Sequence, residues 1–258
     1  SSQPKEMKTI AYLLLNLSLA SQAQLRIESK GFKMSENDLR NIFKPTLTAL
    51  PKADTFKDPP LFVSRHKRGP ITLFQRTDRG EVAIELNCGD YYYSQCIYQF
   101  AHELAHVRAD FQPVPHENKW LEETLCETAS LFVLRKLCKD WENKAPNNAL
   151  KNYRTHLGAY AATVMRSRET LTAQSAPTFY QKHKKTLRES ATERELNGAF
   201  ANLLLPLLEK EPEHWKILPK FPRLKGSSLA EHFTAWRKAT PEKHHKFLIH
   251  FEALFLKK

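Results

Sequence analysis

From Tyr91 to Phe111 the chain runs without a glycine or proline, and it does so again from Trp120 to Cys138, with Pro113 and Pro115 between. Two uninterrupted stretches of that length, so close together, predict a pair of packed helices around which the rest must be built. Asp90, after Cys88 and Gly89, stands where an N-cap would start the first helix. Ile97, Phe100, Ala101, Leu104 and Ala105 give it a broad apolar surface to bury. His102 and His106 are four residues apart, so on a helix both imidazoles emerge from one face, close enough to share a metal ion. Glu103 lies about 100° round from His102, beside the two histidines. A general base that activates a water would stand there.

Two histidines leave a metal under-coordinated, and the missing protein ligand is normally a histidine or a carboxylate. The metzincin spacing would need a histidine where the chain has Gln112 and a glycine where it has Ala109, so that arrangement is excluded. Glu123, with sixteen residues between it and His106, opens the second stretch, and Glu127 follows one turn later. This places one carboxylate to bind metal and a second to hydrogen-bond a ligating histidine. Glu122, in the first turn, complements the helix dipole. His116 and Asp110 are the next candidates for the third ligand. Two histidines and a carboxylate also make a donor set for Fe(II) with open positions for oxygen chemistry.

At this point the chain resembles the gluzincins, zinc peptidases whose His-Glu-x-x-His is followed by a Glu ligand on the next helix. Trp120-Leu121-Glu122-Glu123 is similar to the Trp-Leu-Asn-Glu that opens that helix in the aminopeptidase branch, and Glu127 stands at the offset where the thermolysin-like branch has a buttressing Asp. The likeness covers about thirty residues. It departs in a shorter spacer, which leaves the choice among Glu122, Glu123 and Glu127 open with Glu123 preferred, and in lacking a Gly-x-Met-x-Asn motif, which argues against a typical aminopeptidase. The resemblance implies a zinc ion (Zn2+) on His102, His106 and Glu123, Glu103 as general base, a peptide or protein substrate, and a small sheet before the motif helix. It also implies a downstream Tyr or His that assists the developing oxyanion, for which Tyr160 and His156 are candidates, with Tyr153 beside them.

The remainder reads as one predominantly helical α+β domain. At 258 residues with 41% apolar content the chain can bury a sizeable core. Residues 1–60 form an N-terminal helical region, 61–88 a small sheet, 89–138 the metal-site helices and 139–258 a helical C-terminal region. The apolar run Ile10–Ala20 belongs to a helix running from near Pro4 to Lys30, with Gly31 after its end; the alternative is a secretory signal over Met7–Ala23. Ser35 and Asp38 form a capping box for the next helix, which contains Pro45. Leu61–Ser64, Ile71–Arg76 and Glu81–Asn87 are strand candidates, the last two joined by a Thr-Asp-Arg-Gly turn. Further helices are expected over Asn152–Ser167, Thr192–Glu209, Ser228–Lys238 and Glu242–Leu256, with a break at Trp141–Asn148.

The net charge of +12 is concentrated after residue 120, as in the cluster Lys182 to Lys185 and the run Lys243 to Lys246. That basic half could engage an acidic partner; no nucleic-acid motif accompanies it, so a nucleic-acid partner is not expected. The apolar run is too short to span a bilayer. The four cysteines show no Cys-x-x-Cys pair, which argues against a structural zinc knuckle, and reduced, buried thiols with a cytoplasmic location are the simplest expectation. Three functions follow: a metal-dependent peptidase, preferred because Glu103 adjoins the ligands, an Fe(II) enzyme, and a non-catalytic binding protein on the same scaffold.

Overall fold

Short apolar segments before the motif helix pair into one sheet. In the computed structural model, which describes residues 25–110 and 112–256, these are β1 (Leu25–Ile27), β2 (Leu61–Arg65), β3 (Ile71–Arg76) and β4 (Val82–Leu86), in the order β1-β2-β4-β3. β1 and β4 run parallel to β2, with Leu61 opposite Val82 and Val63 opposite Ile84, and β3 returns antiparallel to β4. The hairpin turn uses Gly80 at φ +75°, a backbone conformation glycine adopts without strain. β4 is internal and buried along its whole length, whereas β3 is an edge strand with Phe74 half exposed. Gly69, just before β3, has to be a glycine because a β-carbon there would lie 2.6 Å from the Glu85 carbonyl oxygen.

The helices pack below and beyond this sheet. They are α1 (Glu36–Ala49), α2 (Tyr93–Arg108), α3 (Lys119–Lys144), α4 (Asn148–Arg166), α5 (Ala176–Glu189), α6 (Arg194–Lys210), α7 (Leu229–Ala239) and α8 (His245–Ala253), with a 3-10 segment at Pro212–Lys220. Ser35 and Asp38 close the expected capping box on α1, and Phe43 on its buried face meets Phe100 of α2 at 4.5 Å. α3 is the hub: it packs on α2, α4 and α6, and all residues from Trp120 to Leu134 are buried. A helix surrounded on every side has no solvent face, which is why its sequence shows little amphipathic contrast. Trp120, Phe200 and Phe255 join α3 to the C-terminal helices in one aromatic cluster.

The fold is predominantly helical α+β, as the sequence indicates, with several differences in detail. Leu25–Ile27, expected at the end of a helix, is a strand, because Leu25 and Ile27 alternate into the core beside β2. The choice between helix and signal over Met7–Ala23 lies outside the described residues. Asp90 does not cap α2, which starts at Tyr93; it pairs instead with Lys33 at 2.9 Å. Cys88 and Cys96 are joined in a disulfide, so the expectation of reduced thiols fails for them, while Cys126 and Cys138 are free. The turn from β4 into α2 brings the two sulfurs together across a spacing that carries no signature. α3 continues through the expected break to Lys144, and α5, with Pro177 in its first turn, lies where no helix was anticipated. Among the described residues no helix is long and apolar enough to cross a membrane.

Candidate metal centre

α2 and α3 present facing stripes one turn apart. From α2 come Tyr98, His102 and His106, and from α3 come Glu122, Glu123, Cys126 and Glu127. The helices are tied directly where Ser130 Oγ donates to the Tyr98 carbonyl at 2.8 Å. His102 Nε2 lies 3.3 Å and His106 Nε2 3.5 Å from Glu123 Oε2, so three donor atoms converge. His102, His106 and Cys126 likewise offer ligand atoms within 4.8 Å of one another, and this group could hold a metal ion. The two third donors differ in environment. Cys126 is fully buried, and burial pushes its thiol up to about 12 against the opposing influence of His106. Glu123 lines a cavity of about 550 Å³ together with both histidines, and Cys126 does not.

Each histidine has a further carboxylate on its other nitrogen. His106 Nδ1 is 2.8 Å from Glu122 Oε1, and Arg223 Nη2 donates to Glu122 Oε2 at 3.2 Å and to the Ala109 carbonyl at 2.6 Å. His102 Nδ1 is 3.5 Å from Glu127 Oε1, while Glu127 Oε2 accepts from the Tyr98 hydroxyl and from Arg168. Burial opposes a charge on His106, but Cys126, Glu123 and Glu122 outweigh it and hold the imidazole's pKa well above its ordinary value. His102 is raised in the same way, burial being overcome by Glu123, Glu127 and Glu103. Burial would likewise raise Glu123, yet His106 and His102 hold it far below the carboxylate range. The surrounding carboxylates thus favour positive charge at the two imidazoles.

Glu103 is buried, and its Oε2 accepts a 2.8 Å hydrogen bond from Thr72 Oγ1 on β3. The edge strand and the motif helix therefore meet at the cavity, whose wall includes Pro70 to Phe74, Glu103 and the histidines. Tyr160 also lines it, its ring 5.9 Å from that of Tyr98 and its phenol raised by burial and then by Glu127.

His156 is a correction. It is exposed, lies tilted against Tyr153 at 5.0 Å and takes no part in the cavity wall, because it precedes the buried Leu157 by one residue and so turns off the packed face of α4. The Tyr153 hydroxyl is engaged with Ser94. His116 stacks on His232 away from the ligands, and Asp110 borders a different pocket. Glu122 is a second correction: it is 3% exposed and holds His106, so its role goes beyond the helix dipole. Of the residues that sequence reasoning missed, Tyr98 could have been found, since it precedes His102 by one turn. Thr72, Arg168 and Arg223 carry no such signal.

Comparison with protein-family models, curated proteins and solved structures returns no match for this chain.

Proposed function

We propose that the protein is a zinc-dependent peptidase of the gluzincin type. What carries this reading is the position of Glu103: its carboxylate is held by Thr72 on the wall of the same cavity that His102, His106 and Glu123 share. A purely structural metal site needs no such group. The donor set favours His102, His106 and Glu123 as ligands, with Cys126 beneath them, because a catalytic metal needs a position open to substrate and Glu123 faces the cavity. A zinc ion held there would supply Lewis acidity toward a carbonyl oxygen and lower the pKa of a bound water to about 7.

The chain's own residues account for the rest. Glu103 takes a proton from the attacking water and returns it to the leaving amine, with Thr72 fixing the carboxylate's orientation. Tyr160, in the cavity wall, donates a hydrogen bond to the developing oxyanion. β3, an edge strand beside the cavity, pairs with an extended peptide backbone. The Cys88–Cys96 disulfide favours an oxidising compartment over the cytoplasm. The basic C-terminal half remains available to an acidic partner.

The test is metal analysis of protein prepared without added metal, followed by hydrolysis of a mixed peptide library. Zinc should be bound, chelator should abolish cleavage, and Glu103→Gln should keep the metal while cleavage falls by at least ~10²-fold. Bound iron with oxygen-dependent turnover, or zinc-loaded protein that cleaves nothing, would overturn the reading.

A further inference from the structure

Arg168 stands just past the end of α4 in the cavity wall. Its Nη2 is committed to Glu127 and to the Tyr98 hydroxyl, the latter at 2.7 Å. On its Nε side it lies flush against α6 at Gly198, where an added β-carbon would come within 2.5 Å of Nε. Its side chain is only 8% exposed, yet Nη1 is buried with no hydrogen-bond partner among the described residues. A donor left unpaired in a dry wall is costly, and a ligand that supplies the acceptor explains why it is retained.

Arg194 lies on the same wall. It precedes Gly198 by four residues on α6 and so shares its face. It is exposed, lines the cavity and forms no ion pair among the described residues. Most of the cavity's carboxylates are engaged elsewhere: Glu123 and Glu103 at the histidines and Thr72, and Glu127 with Arg168, while Glu195, the next residue on α6, also lines the cavity and offsets part of the Arg194 charge.

We infer that the cavity selects peptides carrying a carboxylate beside the cleaved bond, bound between Arg194 and the unpartnered Nη1 of Arg168. Guanidinium groups match carboxylates in charge and in planar geometry, which a neutral amide does not. The group is either the free C-terminus or an Asp or Glu side chain. This inference rests on the peptidase reading for its turnover assay, and a binding measurement separates the two.

One peptide sequence is prepared with a free C-terminus, as the C-terminal amide, and as the amide with a Glu introduced next to the scissile bond. Cleavage by zinc-loaded protein is compared with binding to the Glu103→Gln variant, measured by calorimetry. At least one carboxylate peptide should exceed the plain amide by about 10-fold to 100-fold in kcat/KM and in affinity, as expected for a charge-assisted hydrogen bond. Preference for the free acid alone identifies the C-terminus; preference shared by the Glu-bearing amide identifies a side chain. Arg194→Ala should erase the preference through KM, with zinc content unchanged. Arg168→Lys, which keeps the charge but loses the planar fork, should weaken it. Equal treatment of all three peptides, or a preference that survives Arg194→Ala, overturns the inference. If nothing is cleaved but the variant still discriminates acid from amide, the peptidase reading falls and the carboxylate site stands.

Discussion

The two histidines of the candidate metal centre are supported in the same way and yet differently. Each has a carboxylate from α3 behind it, and each carboxylate has an arginine from further along the chain: His106–Glu122–Arg223 on one flank, His102–Glu127–Arg168 on the other. On the first flank the carboxylate is 2.8 Å from its imidazole, sealed from the cavity, and Arg223 is tied to the end of α2 through the Ala109 carbonyl. On the second flank the separation is 3.5 Å, longer than a hydrogen bond, and the other oxygen of Glu127 is shared by Tyr98 and Arg168 in the cavity wall. The closed flank fixes His106. The open flank leaves His102 room to adjust and links its support to the surface a substrate touches.

The largest effect should come from breaking the closed flank. Glu122→Ala removes the acceptor of His106 Nδ1 and strands Arg223, whose side chain is only 12% exposed. Zinc affinity should fall by about 100-fold, the upper end of what such outer partners contribute. The metal-free protein should lose about 3–5 kcal/mol, as when one member of a buried ion pair is removed. Chelator competition and chemical unfolding measure the two. The open flank should respond less: Glu127→Gln should lower zinc affinity only about 10-fold, with turnover reduced further because Arg168 and Tyr98 lose their shared acceptor. If Glu127→Gln releases zinc more readily than Glu122→Ala, the assignment of fixed and adjustable ligands is reversed.

A smaller effect is expected at Thr72, which supports Glu103 and neither flank. Thr72→Val keeps the shape and deletes one 2.8 Å hydrogen bond. A loss of about 0.5–1.5 kcal/mol corresponds to a several-fold fall in kcat at constant zinc content. Steady-state kinetics beside metal analysis would show it, and unchanged kcat would mean that Glu103 does not depend on the edge strand.

What the sequence disclosed and what it hid divide along the same lines. His102, Glu103, His106, Glu123 and Glu127 are legible because helical periodicity sets their placement within each of two adjacent helices, and the need of two histidines for a third ligand links one helix to the other. Glu122 was misjudged because its position in a first turn has an adequate local explanation, and only the burial of α3 on every side shows that it faces His106. Arg168 and Arg223 lie 41 and 101 residues from the carboxylates they hold, and no spacing rule connects them. β1 is three residues long and has no pattern of its own; its pairing with β2 makes it a strand. His156 and Tyr160, one turn apart, could not be told apart until α4 was placed, since only its packing decides which of them reaches the cavity.

The closed flank should also be the acid-sensitive one, through a residue that touches no ligand. His232 is fully buried, neither ring nitrogen has a hydrogen-bond partner among the described residues, and it packs on Phe221 at 4.8 Å and against His116 at 6.2 Å. Burial first, then the charges of His116 and Arg223, push its pKa down to about 3, so it stays neutral in the folded protein. In the unfolded chain it takes up a proton near pH 6.5. The folded state therefore binds fewer protons below that pH. Above about pH 6.5 this group adds no pH dependence, and from there toward pH 3 it lowers stability by up to about 1.4 kcal/mol per pH unit. His232→Leu removes the group and keeps the apolar contacts with Phe221 and Trp236. Urea unfolding of metal-free protein at pH 7.5 and pH 5.5 should show the wild type losing about 1 kcal/mol more than the variant between the two. His102 and His106 titrate with the opposite sign. Their raised values contribute stability that is complete below about pH 6.5 and is lost as pH rises through the folded-state pKa. They are present in both proteins, so their contribution cancels in the difference. Parallel pH profiles would mean that His232 finds a partner or water in solution, and that the closed flank is less dry than its packing indicates.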